Sequence, residues 1–441
     1  MTYVRVVRKM ITQDEAAGVY AFIDNKSFYA TVECTERGLD PLTTPLVVMS
    51  EAENTGSGLV LASSPMAKKL YHITNVNRRR DLPDDPNLLV VPPRMNLYIQ
   101  KNTAVNQIFN EYVTDEDLMP YSIDESLLNL THSWKLFGNN ILDVIRQIQR
   151  EVKEREQLVV TVGLGNNPLQ AKLALDVYAK HNREFIGVIT NSTVKQKIWT
   201  IPQLRDVWGI NKRTAARLNN LHIFSVDDLA HADPFYIKSQ MGIIGTKLYA
   251  TAWGIDRTKM MQQVPVNDRS IGNSQVLPRD YHYQNEIEVV IKEIGVQVAA
   301  RLRAQHKQCQ GVHLFIGYSM GVVDDAGQSG FAHSIKLPVS TAETNRINEQ
   351  LIWLFEKYWD GQATVRHIGV ACTRLSARFG EQMDIFHSNL EARVKLEGTM
   401  DAIRHRFGKS AIVRAASLKH GATYIARSQL VGGHSGGQSL E

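Results

Sequence analysis

The chain has 441 residues, 43% hydrophobic and 22% charged, which excludes a chain disordered throughout and suggests about three domains at roughly 150 residues each. Three scattered cysteines (Cys34, Cys309, Cys372) exclude a disulfide scaffold or a cysteine-rich zinc module, and the absence of both a membrane-span-like apolar run and a secretory signal core predicts a reducing, cytoplasmic setting. The 50 basic and 45 acidic residues leave a net charge of +5, which permits a polyanionic partner without demanding one.

Residues 19–24 (VYAFID) are a short apolar run ending in an acid, the pattern of a buried strand. Residues 27–38 (SFYATVECTERG) predict a helix closed by Gly38. Strands are expected at 45–50 and 58–64, a charged, proline-rich loop at 78–89, a helix at 94–113 and a strand hairpin at 121–130 (YSIDESLLNL). Residues 136–157 predict a long amphipathic helix with Leu142, Ile145 and Ile148 on one face. Another strand at 158–165 and another helix at 170–180 make this first part mixed α/β. Residues 203–262 read as all-helical, and 268–375 return to strands and helices. Boundaries are expected near 78–89, 187–203 and 264–275, with a softer one at 376–389. The glycine- and serine-rich end, GGHSGGQSLE, predicts a disordered tail.

Three acids stand at predicted strand ends: Asp24 after the first strand, and Asp124 with Glu125 at the bend of the hairpin. Carboxylates so placed can converge across a sheet, and they repel one another unless a cation intervenes. Hard oxygen ligands suit Mg²⁺. Two such ions about 3.5–4 Å apart can activate an attacking oxygen and stabilise a leaving one in phosphoryl transfer. The plainer alternative is that each acid caps an element or faces solvent.

The surrounding sequence favours the first reading. IDNKSFYA and SIDES, about 100 residues apart, resemble the two acidic motifs of Y-family DNA polymerases. LASSPMAKKL resembles that family's fingers segment, VPPRMNLYI the palm entry and TVGLGNNPLQAKLALDVYAK the late palm motif. The order and spacing look most like the UmuC-type (ImpB/MucB/SamB-like) branch. The resemblance implies an α+β multidomain, right-hand polymerase: palm at 1–33 and 86–188, fingers at 34–85, a helical helix–hairpin–helix thumb at 189–264, an α/β little finger at 268–375, and a C-terminal region at 376–441. It implies template-directed, low-fidelity translesion synthesis in DNA damage tolerance and SOS mutagenesis, with two Mg²⁺ ions held by Asp24, the Asn25 backbone carbonyl, Asp124 and Glu125. Phe28 and Tyr29 would lie under the incoming deoxynucleotide, Tyr29 as the gate against a 2′-hydroxyl, and Lys68 and Lys180 would contact the triphosphate. One departure stands out. DinB-type members carry Tyr three residues before the fingers cation, where this chain has Pro65; Ser63 and Ser64 are the substitutes at hand.

Residues 204–221 (LRDVWGINKRTAARLNNL) have a helix–hairpin–helix pattern, whose turn aims backbone N–H groups at a DNA phosphate. Asn211 replaces the usual second glycine and is expected to tolerate a positive φ there. A second, looser hairpin carries Gly242, Gly245 and Lys247. With Gly209, Lys212, Arg213 and Arg217 these predict sequence-independent, salt-dependent binding of primer–template DNA. Cations scattered over 268–375, among them Arg301, Arg303, Lys336 and Arg366, read by default as solvated. Gln382, Ile385 and Phe386 resemble the peptide that docks on the bacterial sliding clamp. A UmuD-like accessory subunit or a recombinase filament is a further partner that the resemblance implies; no membrane partner is expected, and the cytoplasm, at the nucleoid, is the expected place of action. The rival readings are a catalytically silent DNA- and clamp-binding accessory protein, or another palm-type nucleotidyl transferase.

Overall fold

In the computed structural model, residues 15, 17–50, 58–260, 270–379 and 390–436 are described. They divide into two compact units: residues 1–46, 64–67 and 97–264, and residues 47–63, 68–96 and 265–441.

The first unit is built on a five-stranded sheet ordered Leu118–Pro120, Glu125–Asn129, Tyr20–Asn25, Val160–Gly165 and Ile186–Ile189. Only the last pair is parallel; the others are antiparallel. Tyr20–Asn25 is the middle strand, and its Ala21, Phe22 and Ile23 are all buried. A strand covered on both faces reads as a continuous apolar run rather than an alternating one.

The parallel crossover between the last two strands begins with the helix Pro168–Leu173, capped by Asn167. The expected helix over 170–180 does not stay α-helical. It widens into a π turn at Ala174–Tyr178 and tightens to a 3₁₀ turn at Ala179–His181. Glycine sets how closely it lies on the sheet: a Cβ on Gly163 would fall 2.1 Å from the Ala171 carbonyl oxygen, and one on Gly187 2.2 Å from that of Ala174.

The hairpin expected at 121–130 is shifted. Its first strand is Leu118–Pro120, and Tyr121–Asp124 form the connection. Ser122 causes this, because its hydroxyl accepts from the Asp124 and Glu125 amides and closes the turn on the acids. The amphipathic helix runs Ile141–Glu156 and buries Val144, Ile145, Ile148 and Val152. Leu142 lies at the edge of that stripe and is only half-buried.

The helices Lys212–Asn219, Val226–His231 and Pro234–Ala252 complete the first unit. They share a core of Ile198, Leu218, Leu229, Ile237 and Trp253. Gly242, with φ 66°, breaks the last helix into two limbs, a backbone state open to glycine and costly for most other residues.

In the second unit, Gly330–Thr341, Lys307–Tyr318, Val365–Ala377 and Ser270–Tyr281 form an antiparallel four-stranded sheet in that order. The helices Gln284–Ala304 and Thr344–Tyr358 cover one face, through Ile294, Val298, Leu351 and Phe355. The connector expected at 264–275 is thus partly strand, because Ile271, Gln275 and Leu277 alternate inward. Arg303 is not a solvated cation. It pairs with Glu397 at 3.0 Å and Asp401 at 2.7 Å on the helix Leu390–Phe407. Further along, the Thr423 and Tyr424 amides donate to Glu293. The start of the tail expected to be disordered instead folds back as a small hairpin, His434–Ser435 pairing with Leu430–Val431 just before it; residues 437–441 lie outside the described residues. Among the described residues no helix is long and apolar enough to cross a membrane.

Candidate active site

Antiparallel register brings the acids together. Asp24 is the direct cross-strand partner of Glu125 on one side and of Thr161 on the other. Asn25 is buried and locked to Asp124: its backbone N–H donates to the Asp124 carbonyl at 2.8 Å, and its side-chain amide donates to the same oxygen at 3.2 Å. Ser122 donates to the Asp124 carboxylate at 2.6 Å. Two motifs separated by about 100 residues therefore form one acidic centre because one sheet pairs their strands.

The crossover helix supplies the cations. Lys180 lies 3.1 Å from Asp24, 3.0 Å from Asp176 and 3.8 Å from Glu125. Lys172 lies 2.6 Å from Glu125 and 3.2 Å from Asp176. The Asp24 carboxyl is raised to about 6: burial is the largest cause, Lys180 opposes it, and Asp124 and Glu125 add to the rise. Burial works against charge on Lys180, but Asp24 and Asp176 outweigh it and hold the ammonium above the ordinary lysine range. Among the described residues no three His, Cys, Asp or Glu side chains converge on a common point as oriented. Lys180 instead sits between Asp24 and Glu125, in the place where the crowded carboxylates call for positive charge. The donor set is hard oxygen throughout and fits a divalent cation such as Mg²⁺.

Phe28 and Tyr29 open the helix Phe28–Thr35 and differ in setting. Phe28 is buried in the core. Tyr29 is half-buried and stacks on Tyr98, with ring centroids 4.3 Å apart and planes 14° from parallel. Tyr98 is held in turn by donating to Glu33 at 2.7 Å. Burial, then the charge of Asp124, raises the Tyr29 phenol above its usual value. Lys68 is exposed on the helix Pro65–Tyr71, and its residue belongs to the second unit. Neither Ser63 nor Ser64 can replace the missing tyrosine as a phosphate donor. Both are fully buried, and their hydroxyls donate to the carbonyls of Ile73 and Thr44.

In the first hairpin Gly209 takes the positive φ, 91°. Asn211 does not: at φ −85° it caps the helix Lys212–Asn219, its side chain accepting from the Thr214 amide. The expectation of a left-handed Asn211 is corrected, because an N-cap is extended and rewards a side-chain acceptor. Lys212, Arg213 and Lys247 are exposed. In the second hairpin Gly242 supplies the break, and Gly245 is buried, where a Cβ would come within 2.7 Å of the Ile237 carbonyl. Gln382, Ile385 and Phe386 lie outside the described residues.

Sequence reasoning missed Lys172, Asp176, Tyr98 and Ser122. The first two had a signal: charges spaced i, i+4, i+8 (172, 176, 180) in an otherwise apolar helix. The stacking of Tyr98 on Tyr29 had none.

Comparison with known proteins agrees with this geometry. The impB/mucB/samB family matches residues 23–176, and the impB/mucB/samB family C-terminal domain matches residues 268–385. A Bacillus subtilis (strain 168) protein named for UV-damage repair, UvrX, is 34% identical over 412 residues, covering 93% of this chain and 96% of that one. DNA polymerase IV 2 of the same organism is 33% identical over 419 residues, covering 94% and 98%. Among solved structures, a Y-family DNA polymerase chimera superposes with a TM-score of 0.61 at 22% identity, covering 82% of this chain and 100% of the other, a likeness of fold.

Proposed function

The chain belongs to the impB/mucB/samB family and is a DNA-directed DNA polymerase of the Y-family, translesion type; from that premise we propose that Asp24, Asp124 and Glu125 are its catalytic acids. One observation carries the reading: Asp24 and Glu125 face each other in register on adjacent strands, with Lys180 within 4 Å of both.

In this mechanism a primer 3′-oxygen bonds to the α-phosphorus of a deoxynucleotide as the bond to the β-phosphate breaks, and pyrophosphate leaves. Asp24, Asp124, Glu125 and the Asn25 carbonyl would hold two Mg²⁺ ions, which supply charge neutralisation for the attacking and leaving oxygens. Glu125 helps to position the primer 3′-hydroxyl. Lys180 moves from Asp24 to the triphosphate, where a fixed cation offsets charge developing on the leaving group; Lys68 is the second cation for this role. Tyr29, backed by Tyr98, excludes a 2′-hydroxyl, with Phe28 supporting it from the core.

Around this centre, the first unit's sheet corresponds to a palm and its helical part to a thumb that binds primer–template DNA through Gly209, Asn211, Lys212, Arg213, Gly242, Gly245 and Lys247. The four-stranded sheet of the second unit corresponds to a little finger. Gln382, Ile385 and Phe386 form a sliding-clamp peptide, and the enzyme acts in SOS mutagenesis with a UmuD-like subunit or a recombinase filament as partner. Primer extension on an undamaged primed template with Mg²⁺ and four deoxynucleotides tests the core of this. Short, distributive extension, lost in the Asp124→Ala/Glu125→Ala variant, is expected. No extension by the unaltered chain, with clamp and the accessory partner both present, refutes it.

A further inference from the structure

Lys172 is a buried cation in an expensive place. Its side chain is 7% exposed, its ammonium lies 4.9 Å over the Phe22 ring, and its partners are Glu125 at 2.6 Å and Asp176 at 3.2 Å. Buried ion pairs are poor sources of stability, because desolvation offsets most of the attraction. Lys180 divides itself between Asp24 and Asp176, and stands 3.8 Å from Glu125. Lys172 is therefore the closer cation to Glu125.

The backbone is adapted to this arrangement. At about 100° per residue, an uninterrupted α-helix would carry Lys180 roughly 80° around the axis from Lys172. The π turn at Ala174–Tyr178 advances less per residue and returns Lys180 to the face that bears Lys172 and Asp176. Single π turns inside helices recur at functional sites. The close approach permitted at Gly163 and Gly187 seats Ala171 and Ala174 directly on the sheet.

We propose that Lys172 and Asp176 are positioning residues for nucleotide transfer: Lys172 fixes the orientation of Glu125, and Asp176 keeps Lys180 anchored when it exchanges Asp24 for a phosphate. The proposal rests on the polymerase reading above. It assigns the two residues different effects. Losing Lys172 disturbs the acid that serves the primer end, so the maximal rate falls. Losing Asp176 leaves Lys180 without its second anchor, so nucleotide binding weakens.

The test uses the full-length chain with primed DNA, comparing Lys172→Met, Lys172→Arg and Asp176→Asn in single-turnover insertion, together with Mn²⁺ binding to the free protein by electron paramagnetic resonance. Lys172→Met is expected to lower the maximal rate by roughly tenfold or more, as a misplaced reacting group does, with the apparent nucleotide affinity kept within about threefold. It is also expected to bind Mn²⁺ more tightly, since a competing cation is gone. Lys172→Arg should recover part of the rate, and Asp176→Asn should act mainly on nucleotide affinity. A folded Lys172→Met variant with unaltered rate and unaltered Mn²⁺ affinity overturns the proposal. Should that variant not fold, wild-type kinetics in both Lys172→Arg and Asp176→Asn overturn it. Absence of insertion by the unaltered chain, with clamp and the accessory partner both present, refutes the polymerase reading itself, and this proposal with it.

Discussion

Replacing Asp24 should make the protein more stable while abolishing its activity. Burial, with Asp124 and Glu125 nearby, raises this carboxyl from its ordinary 3.8 to about 6 despite Lys180. A folded-state value above the unfolded one means that the protonated form is the one folding favours. The associated stability is fully present below about pH 3.8 and is lost as pH rises through about 6. Some two units at 1.36 kcal/mol each make the ionised Asp24 cost about 3 kcal/mol at neutral pH. Asp24→Asn removes that cost and keeps the shape, and Lys180 retains Asp176 as a partner. For a unit of this size the gain corresponds to about 6–12 °C in Tm. The assay is thermal unfolding of both proteins in chelator at pH 7.5 and pH 5. The gain should be about 3 kcal/mol at pH 7.5 and fall to about half of that at pH 5, where the native carboxyl is mostly protonated but the unfolded one is still ionised. An Asp24→Asn protein less stable than the unaltered chain at pH 7.5, or a gain equal at both pH values, would refute the reasoning. The crowding that makes Asp24 costly is what gives the site its demand for a cation, an instance of stability yielded for function.

Other outcomes follow from the same geometry. Tyr29→Ala should raise ribonucleotide incorporation, measured by competition with the matching deoxynucleotide; Tyr98→Ala should do so to a lesser extent, since it removes only the ring behind the gate. Lys212→Ala and Arg213→Ala should each weaken DNA binding uniformly across sequences and reduce the slope of log affinity against log salt by about one; unchanged slopes would remove the hairpin from the DNA contact set. Gln382→Ala with Phe386→Ala should abolish binding to the sliding clamp, read by surface plasmon resonance, and spare basal extension; retained affinity would refute the docking peptide.

Much of the fold could be read from periodicity. The run VYAFID reads as a buried strand because the middle strand of a sheet is covered on both faces, and Asp24 at its end is polar because it meets the site rather than the core. Ile271, Gln275 and Leu277 alternate inward too, but the polar residues between them disguise the start of the strand Ser270–Tyr281, so its residues up to 275 read as a connector. Turn chemistry was harder to read. Asn211 is compatible with both a left-handed turn and an N-cap, and the free Thr214 amide decides for the cap. Ser122 looked like one more residue of a motif, whereas its hydroxyl holds the Asp124 and Glu125 amides.

By itself the sequence determined the identity of the acids, the order of the elements and the family, because these depend on residue type and on spacing along one dimension. The tertiary structure alone decided which charge meets which. Strand register sets Asp24 opposite Glu125, and a π turn whose signature no local propensity carries aligns Lys172, Asp176 and Lys180. Glycines that look like ordinary strand breakers let the helix lie close to the sheet. Burial, with Asp124 and Glu125 close by, raises the Asp24 carboxyl against the pull of Lys180. Electrostatic energy depends on distance and on exclusion of water, and neither quantity exists until the chain has folded.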